Sequence, residues 1–503
     1  MELNKLEQQR VAKVNLLRAA GEEPYPHRAH RTHTLAEAHD AYETVEGTEE
    51  PLLTVTVAGR LVSIRTMGKL AFAHVEDESG KLQLFIRRND VGEESYELFK
   101  KAFDLGDFVE AAGQMIRTRT GEVSVRVEKL RMLSKAISPL PLAKEYEDEE
   151  GDVTRYSAFS DIEERYRQRY ADLAVNPEVR HLFRLRSRTI SALRSWLDEH
   201  GFLEVETPVL QPVYGGAAAR PFTTYHNQLK QELYLRISFE LYLKRLLVGM
   251  FERVYEIGRD FRNEGVSYKH NPEFTQLELY VAYADLFSIM ETVEELLSHT
   301  AGAVLGTRTI TYQGQELDLA PPWRRVSLQE VIREGTGIDY REFATAAALR
   351  AEMRKHGFHA DDKANWGQLV DNLLSRVEPA LIQPTFVYDY PVEISPLAKQ
   401  KPQDPTHVER FELFVGGLEM GNAFTELNDP FEQEERFLQQ GRAYEAGDEE
   451  AQPMDEDYLQ ALKYGMPPNG GFGLGIDRLA MLFTDRHSIR EVLLYPHLRP
   501  REE

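Results

Sequence analysis

The sequence predicts an α+β protein of at least two domains. A small closed barrel of short strands comes first, followed by a larger part that mixes helices with antiparallel hairpins. Three observations carry this. The chain has 503 residues, too many for one ordinary core. From residue 53 to about residue 133, short alternating segments are punctuated by Gly68, Gly80, Gly106 and Gly121. Beyond residue 161 the period becomes helical, and two later stretches, 261–280 and 410–428, alternate as paired strands around polar or glycine turns.

Composition narrows the class. Hydrophobic residues make up 42% and charged residues 28%, as in a soluble globular protein. No apolar run approaches membrane-spanning length, and the charged start Met1-Glu2-Leu3-Asn4-Lys5 is no secretory signal. The absence of cysteine excludes disulfides, thiolate zinc sites and a cysteine nucleophile. A cytosolic protein with no membrane contact is expected. The net charge of −23 argues weakly against nucleic-acid binding, but an acidic bulk surface is compatible with a local basic face.

Residues 3–20 read as an amphipathic helix with Leu6, Val11, Val14 and Leu17 on one side and Gly21 at its end. Its Lys5, Arg10, Lys13 and Arg18 are either a solvated face or an RNA contact. A second short helix is expected at 34–42, completing an N-terminal helical segment over 1–52. Strands follow at 54–62, 71–76, 81–87, 108–115 and 123–130, with a helix at 94–103 between the third and fourth. That order fits an OB-fold over 53–137, a barrel that presents aromatic and basic side chains to single-stranded nucleic acid. Pro139, Pro141 and the acidic run 145–152 argue against regular packing and mark 138–160 as a linker. The large domain spans 161–503, with helices expected at 166–173 and 179–200, a strand at 202–207 stopped by Pro208, and a mostly helical insertion at about 319–384 in a supporting role.

Four stretches in the large domain carry chemistry. In FRNEGVSYKHNPEFTQLELY, residues 261–280, two strands flank a polar loop, and Phe274, Gln276, Glu278 and Tyr280 share one face. Arg262 suits a phosphate or carboxylate, because its fork donates two parallel hydrogen bonds. Phe274 offers a flat face to a nucleobase. In YGGAAARPF, residues 214–222, adjacent glycines let backbone approach a ligand closely. In RFELFVGGLEMGNAFTELN, residues 410–428, Gly416-Gly417 is a natural two-residue turn. That turn pairs Glu412 with Gly421 and Phe414 with Glu419, so the two glutamates become diagonal neighbours. Like charges so placed are unfavourable, and a divalent cation shared with a nucleotide phosphate would resolve the conflict. Asn422, Phe424 and Glu426 have the opposite parity, which a bulge at Gly421 would correct. Finally, GFGLGIDR, residues 471–478, precedes an apolar helix and places Arg478 at its start. Each stretch alone also reads as a surface loop or hairpin with solvated charges.

Together, and in this order, they resemble the class II aminoacyl-tRNA synthetases. Residues 261–280 are similar to motif 2, F-R-x-E … H-x-P-E-F-T; residues 471–478 match motif 3, G-x-G-x-G-x-D-R; the helix, strand and Pro208 after residue 179 match motif 1. Neither a Walker A pattern nor a class I synthetase signature occurs. The resemblance covers nearly the whole chain and is nearest to the bacterial-type lysine–tRNA ligases. It implies a six-stranded antiparallel catalytic sheet flanked by helices, a homodimer built through motif 1, and conversion of L-lysine and ATP to lysyl-adenylate before transfer to the 3′ end of tRNA(Lys).

The resemblance also implies roles. Arg262 would hold the α-phosphate and the lysine carboxylate. Glu264, His270, Asn271 and Phe274 would hold ATP, with adenine between Phe274 and Arg478. Glu412 and Glu419 would carry Mg²⁺. Gly216 and Glu240 would receive the lysine α-amino group. Glu278, Tyr280, Asn422, Phe424 and Glu426 would form the side-chain pocket. Arg65, Phe72 and Gln83 fall where the family reads the anticodon. A glutamate expected just before Leu130 is replaced by Lys129, with Glu128 preceding it. An ammonium taken from water needs compensating acids, and Glu278 with Glu426 provides them. A pocket for aspartate would need cations at those places. Aspartate or asparagine ligases, a protein-modifying paralogue and a non-catalytic regulator are the alternative readings. The acidic pocket, the intact barrel and the retained Arg262, Glu412, Glu419 and Arg478 speak against them in turn.

Overall fold

The computed structural model describes residues 2–47, 53–141, 144–147, 153–156, 159–445 and 453–501. The chain folds as two compact units, Met1–Asp161 and Ile162–Glu503.

In the first unit, helix Lys5–Ala19 begins at Asn4, whose side chain accepts from the Leu6 and Glu7 N–H groups while Glu7 bonds back to Asn4. Gly21, at φ +81°, ends it. Val14 and Leu17 are buried, but Leu6 is 57% exposed, so the apolar side is shorter than expected. Two of the helix's cations are partly buried and already partnered. Arg10 donates to the Ala136 and Leu105 carbonyls, and Lys13 pairs with Asp104, which ties the helix to the barrel. Helix Leu35–Val45 is capped in the same way by Thr34.

Strands Thr54–Met67, Leu70–Glu76, Lys81–Arg87, Phe108–Arg117 and Val123–Ser134 close into a barrel, with helix Glu93–Ala102 between the third and fourth strands. The first strand pairs with the second and fourth, and the third runs parallel to the fifth. This is the expected OB-fold. Strict alternation creates it: Ala71, Ala73, Val75, Leu82, Leu84 and Ile86 all point into the core. The 138–160 segment is more regular than its composition suggested, because Lys144–Glu147 pairs with Val153–Tyr156. Part of its acidic run, 148–152, lies outside the described residues.

The second unit is built on one sheet. Six consecutive neighbours in it are antiparallel: Thr385–Pro391, Asp404–Val415, Leu418–Thr425, Asn469–Gly475, Glu273–Ala282 and Arg253–Phe261. Parallel edge strands extend this core at both ends. The expected 202–207 strand shrinks to Leu203–Glu204, which lies parallel to Arg253–Phe261. At the other edge Arg324–Ser327 lies parallel to Thr385–Pro391. The 319–384 region is therefore mostly helical but also contributes a sheet strand. The core packs helices Pro177–Glu199, Leu286–Leu305 and Ile476–Phe483 against the sheet through Leu193, Ile289, Val293, Leu279, Phe472 and Leu482.

The Asp404–Thr425 hairpin differs from the expected register. Phe414 does face Glu419, but Glu412 faces Asn422 and Leu413 faces Gly421. One extra residue, Met420, is inserted, and it is buried in the core. The bulge thus sits one residue before Gly421. It lets Glu419 share the cavity side with Asn422, Phe424 and Glu426. Among the described residues, no helix is long and apolar enough to cross a membrane.

Candidate active site

The cavity-facing side of the sheet holds a cleft of about 330 Å³. Alternation along Glu273–Ala282 sends Phe274, Gln276, Glu278 and Tyr280 into it. Arg262, Glu264, His270 and Asn271 enter from the loop before that strand, and Arg478 enters from the start of helix Ile476–Phe483. Gly216, Glu240, Glu419, Asn422, Phe424 and Glu426 complete the wall. Glu412 is the one expected catalytic-domain residue that does not line the cleft.

At one end the cleft is cationic. The Arg262 guanidinium lies 5.0 Å over the Phe274 ring and donates weakly, at 3.4 Å, to the Ile237 carbonyl. Arg478 donates to the Glu419 carbonyl at 2.5 Å and to its carboxylate at 3.3 Å. Burial opposes the Glu419 charge, but Arg478 holds its carboxyl below the usual range. His270 bonds Ser267 Oγ through Nδ1 at 2.8 Å, and its Nε2 faces Arg478 at 3.4 Å. Burial, and then Arg478, lower His270 to about 4, so it is neutral with Nε2 as an acceptor. Asn271 serves local structure as well: its amide donates to the Glu273 carbonyl and accepts from His497 N–H.

Glu412 is buried behind this end. Its oxygens accept from Arg410 at 2.7 Å and from the Tyr390 hydroxyl at 2.9 Å. Burial raises its carboxyl to about 8, and the neighbouring Glu419 and Asp371 charges add to that against Arg410. Arg410 also bonds Asn422 Oδ1 at 2.8 Å. It was not singled out from sequence because it opens the hairpin as an ordinary strand arginine.

The other end is acidic and closed. Glu278 accepts from Ser238 at 2.8 Å, Gln276 at 3.1 Å and the Tyr280 hydroxyl at 3.1 Å. Burial, then Glu240, raise it to about 7. Glu240 and Glu426 are both buried, and both form ion pairs with Lys244. Glu426 Oε1 has no hydrogen-bond partner. Burial pushes both carboxyls upward against the pull of Lys244. Gly471 leaves the room: a Cβ there would stand 2.3 Å from Tyr280 and 2.5 Å from Glu426 Oε1. Gly216 sits at φ +89°, where a Cβ would stand 2.8 Å from Ser238 Oγ. Lys244 and Ser238 were both missed from sequence. Lys244 occupies one turn after Glu240 in an apolar helix, and only that i,i+4 spacing hinted at it.

On the barrel, cross-strand register forms two rows on the outer face. Arg65, Phe72, Phe85 and Arg126 make one row, and His74, Gln83 and Ser124 make the other. Phe72 is half-buried, tilted against Phe85 at 5.2 Å, and stands outside the core between buried Ala71 and Ala73. Arg65 is exposed. Gln83 is 7% exposed, donating to Glu122 and accepting from Ser124 at 2.8 Å. His74 also bonds Glu122, at 2.7 Å. The acid beside Gln83 is therefore Glu122. Glu128 and Lys129, where an acid was sought, are exposed elsewhere on the fifth strand.

Comparison with known proteins agrees with both units. Residues 161–499 match the family described as tRNA synthetases class II (D, K and N), and residues 55–133 match the OB-fold nucleic acid binding domain. The chain is 57% identical to a lysine–tRNA ligase of Roseiflexus castenholzii and 54% identical to one of Chloroflexus aurantiacus, over the full length of both chains in each case. It is 49% identical to a lysine–tRNA ligase of Bacillus subtilis over 99% of this chain and 98% of that one. The fold, the three ordered motifs and these full-length relatives lead to one conclusion: the chain belongs to the class II tRNA synthetases of the D, K and N group, within the lysine–tRNA ligases.

Proposed function

We propose that this chain charges tRNA(Lys) with L-lysine in two steps at the sheet cleft. ATP and lysine first give lysyl-adenylate and pyrophosphate. Lysine then passes to a hydroxyl at the tRNA 3′ end, releasing AMP. One observation carries the choice of amino acid. The closed end holds Glu240, Glu278 and Glu426, and buried Glu426 Oε1 has no hydrogen-bond partner. Such an oxygen is costly until a cation meets it. The lysine ε-ammonium fits against Glu426, Glu278 and the Tyr280 hydroxyl, with its methylenes along Phe424 and its amide neighbour Asn422. The α-ammonium fits Glu240 and the backbone at Gly216.

This places the lysine carboxylate toward Arg262. No protein nucleophile is needed: a carboxylate oxygen attacks the α-phosphorus, and the bond to pyrophosphate breaks. Arg262 and Arg478 neutralise charge on the reacting phosphate, and Phe274 with Arg478 sandwiches the adenine. His270, neutral and held by Ser267, and Asn271 shape the nucleotide wall together with Glu264. Neutrality at His270 keeps a third positive group from competing with Arg478 for Glu419.

Glu419 and, behind it, Glu412 are the acidic pair that would hold Mg²⁺. Glu419 opens on the cleft, and Glu412 lies on the neighbouring strand behind it, its carboxyl raised by burial and then by the Glu419 and Asp371 charges, so a divalent cation at Glu419 would relieve the acid–acid part of that shift if Glu412 turned from Arg410 and Tyr390. Glu412 and Glu419 would hold the ion, which when bound would neutralise nucleotide phosphate oxygens. On the barrel, Arg65, Phe72 and Gln83 would read the anticodon, supported by their shared outer face. A homodimer in the cytosol is the setting we infer. The sheet ends at the short edge strand Leu203–Glu204, and Leu203, Met250 and Phe251 are exposed.

The test is ATP–pyrophosphate exchange with each of the twenty amino acids. L-lysine should give the fastest exchange, without tRNA. Equal or faster exchange with aspartate or asparagine would overturn the reading.

A further inference from the structure

Lys244 is fully buried and does not line the cleft, yet it touches two residues that do. Its Nζ lies 2.5 Å from Glu240 and is also ion-paired to Glu426. Phe424 and Tyr458 cover it, with Nζ 5.4 Å and 6.0 Å from their ring centres. Burial works against its charge, but the Glu240 and Glu426 carboxylates more than offset that and keep it an ammonium.

We propose that Lys244 is the fixed counter-charge of the amino-acid pocket. From behind the wall it favours the ionised form of Glu240 and Glu426 against their burial and sets their separation, so that they receive the two ammonium groups of the substrate. The inference rests on the lysine reading of the cleft. Glu240, Glu278 and Glu426 bring three carboxyls to one buried enclosure, up to three negative charges when all are ionised. A lysine offers two positive groups there once its carboxylate faces Arg262. Lys244 is the third positive group, and with it the filled pocket is neutral. Without it Glu240 and Glu426 would both lose their buried counter-charge and carry protons until substrate arrived; two ammonium groups need two ionised acids, so binding would expel at least one proton while the third acid kept its own. Because one ammonium spans both acids, it also fixes the spacing between the groups that would receive the α- and ε-ammonium ions. A salt bridge made only for stability would have no reason to use the two cleft acids as its partners, and buried pairs are often no more stabilising than apolar replacements.

The other groups facing this cluster are Glu278 and Tyr280 from the neighbouring strand, Tyr458 and Arg245 across the helix, and Arg410 beyond Glu240. None of them bridges Glu240 and Glu426 as Lys244 does. Lys244 is thus a positioning residue, acting through the two acids.

Calorimetry of L-lysine binding in buffers of different ionisation heat counts protons released. The intact wild-type enzyme at pH 8 should release fewer than about half a proton per site. Release of a full proton overturns the proposal, whatever any variant does. Lys244→Met should release about one proton, and its lysine KM in exchange should rise at least tenfold and more steeply toward acid. Its ATP KM should stay within about twofold. Lys244→Arg, which keeps the charge, should recover most of the proton balance. If Lys244→Met matches wild type in proton release and lysine KM, the residue is only structural. If wild type binds no lysine at all, the reading of the cleft fails rather than the role of Lys244.

Discussion

Replacing Phe72 by alanine separates the two units by function. Phe72 stands on the outer face of the barrel, half-buried, with the tilted Phe85 ring beside it at 5.2 Å. Stacking on a base contributes about 1–3 kcal/mol, so tRNA affinity should fall roughly 5- to 150-fold. The variant also loses the Phe72–Phe85 pair, about 0.5–1.5 kcal/mol of barrel stability. It should not lose the ~3–5 kcal/mol of a core phenylalanine, because buried Ala71 and Ala73, not Phe72, face the core. The assay is paired. Aminoacylation at limiting tRNA should drop by the affinity factor, while lysine-dependent pyrophosphate exchange stays at the wild-type rate. A large fall in melting temperature would show that the ring holds the barrel together. Unchanged charging with unchanged stability would refute the stacking role altogether.

Other outcomes follow from the cleft. Glu426→Gln keeps the shape but removes a charge that faces the substrate ammonium and pairs with Lys244, and should cost about 2–5 kcal/mol in lysine kcat/KM; an unchanged value would place Glu426 outside the pocket. Gly471→Ala should abolish lysine activation, since its methyl would stand 2.3 Å from Tyr280; exchange at the wild-type rate would mean that substrate does not reach that depth. Burial and then Glu240 raise the Glu278 carboxyl to about 7, so its charge is lost as pH falls through that value. Lysine KM should therefore rise toward acid while ATP KM holds, and a flat lysine KM from pH 8 to 6 would contradict this. His270 is held at about 4 against its ordinary 6.5, so between these values the unfolded chain binds more protons than the folded one. Its contribution is intact above pH 6.5 and is lost as pH falls toward 4. His270→Gln should flatten that part of the pH–stability curve, and identical curves would exclude it.

Much of the site was legible because its chemistry demands rare residue combinations at fixed spacing. Alternation alone put Phe274, Gln276, Glu278 and Tyr280 on one face, and the structure keeps them there. The Gly416-Gly417 turn located the second hairpin, but a turn cannot reveal a bulge three residues later, so the partner of Glu412 was off by one. Residues that act through others left little trace. Lys244, Ser238 and Arg410 belong to no motif and gain meaning only from what the fold sets beside them. The short strand Arg324–Ser327 was hidden for a related reason: four residues inside a helical region carry no period of their own, and only the waiting edge of Thr385–Pro391 makes them a strand. Glu122 was overlooked because it follows a turn, outside the stretch searched for an acid.

The extra residue at Met420 has a wider consequence. Main-chain phase, rather than any side-chain rotamer, brings Glu419 at the cationic end of the cleft into line with Asn422, Phe424 and Glu426 toward its acidic end. On the proposed reading the two substrates would dock along one continuous strand with no turn between their sites. Mutation can retune either half by changing side chains, but it cannot slide one past the other. Deleting one residue from this strand would turn the acids of one half into the core while leaving the other in place. A variant of that kind should lose adenylate formation outright while still binding one of its two substrates.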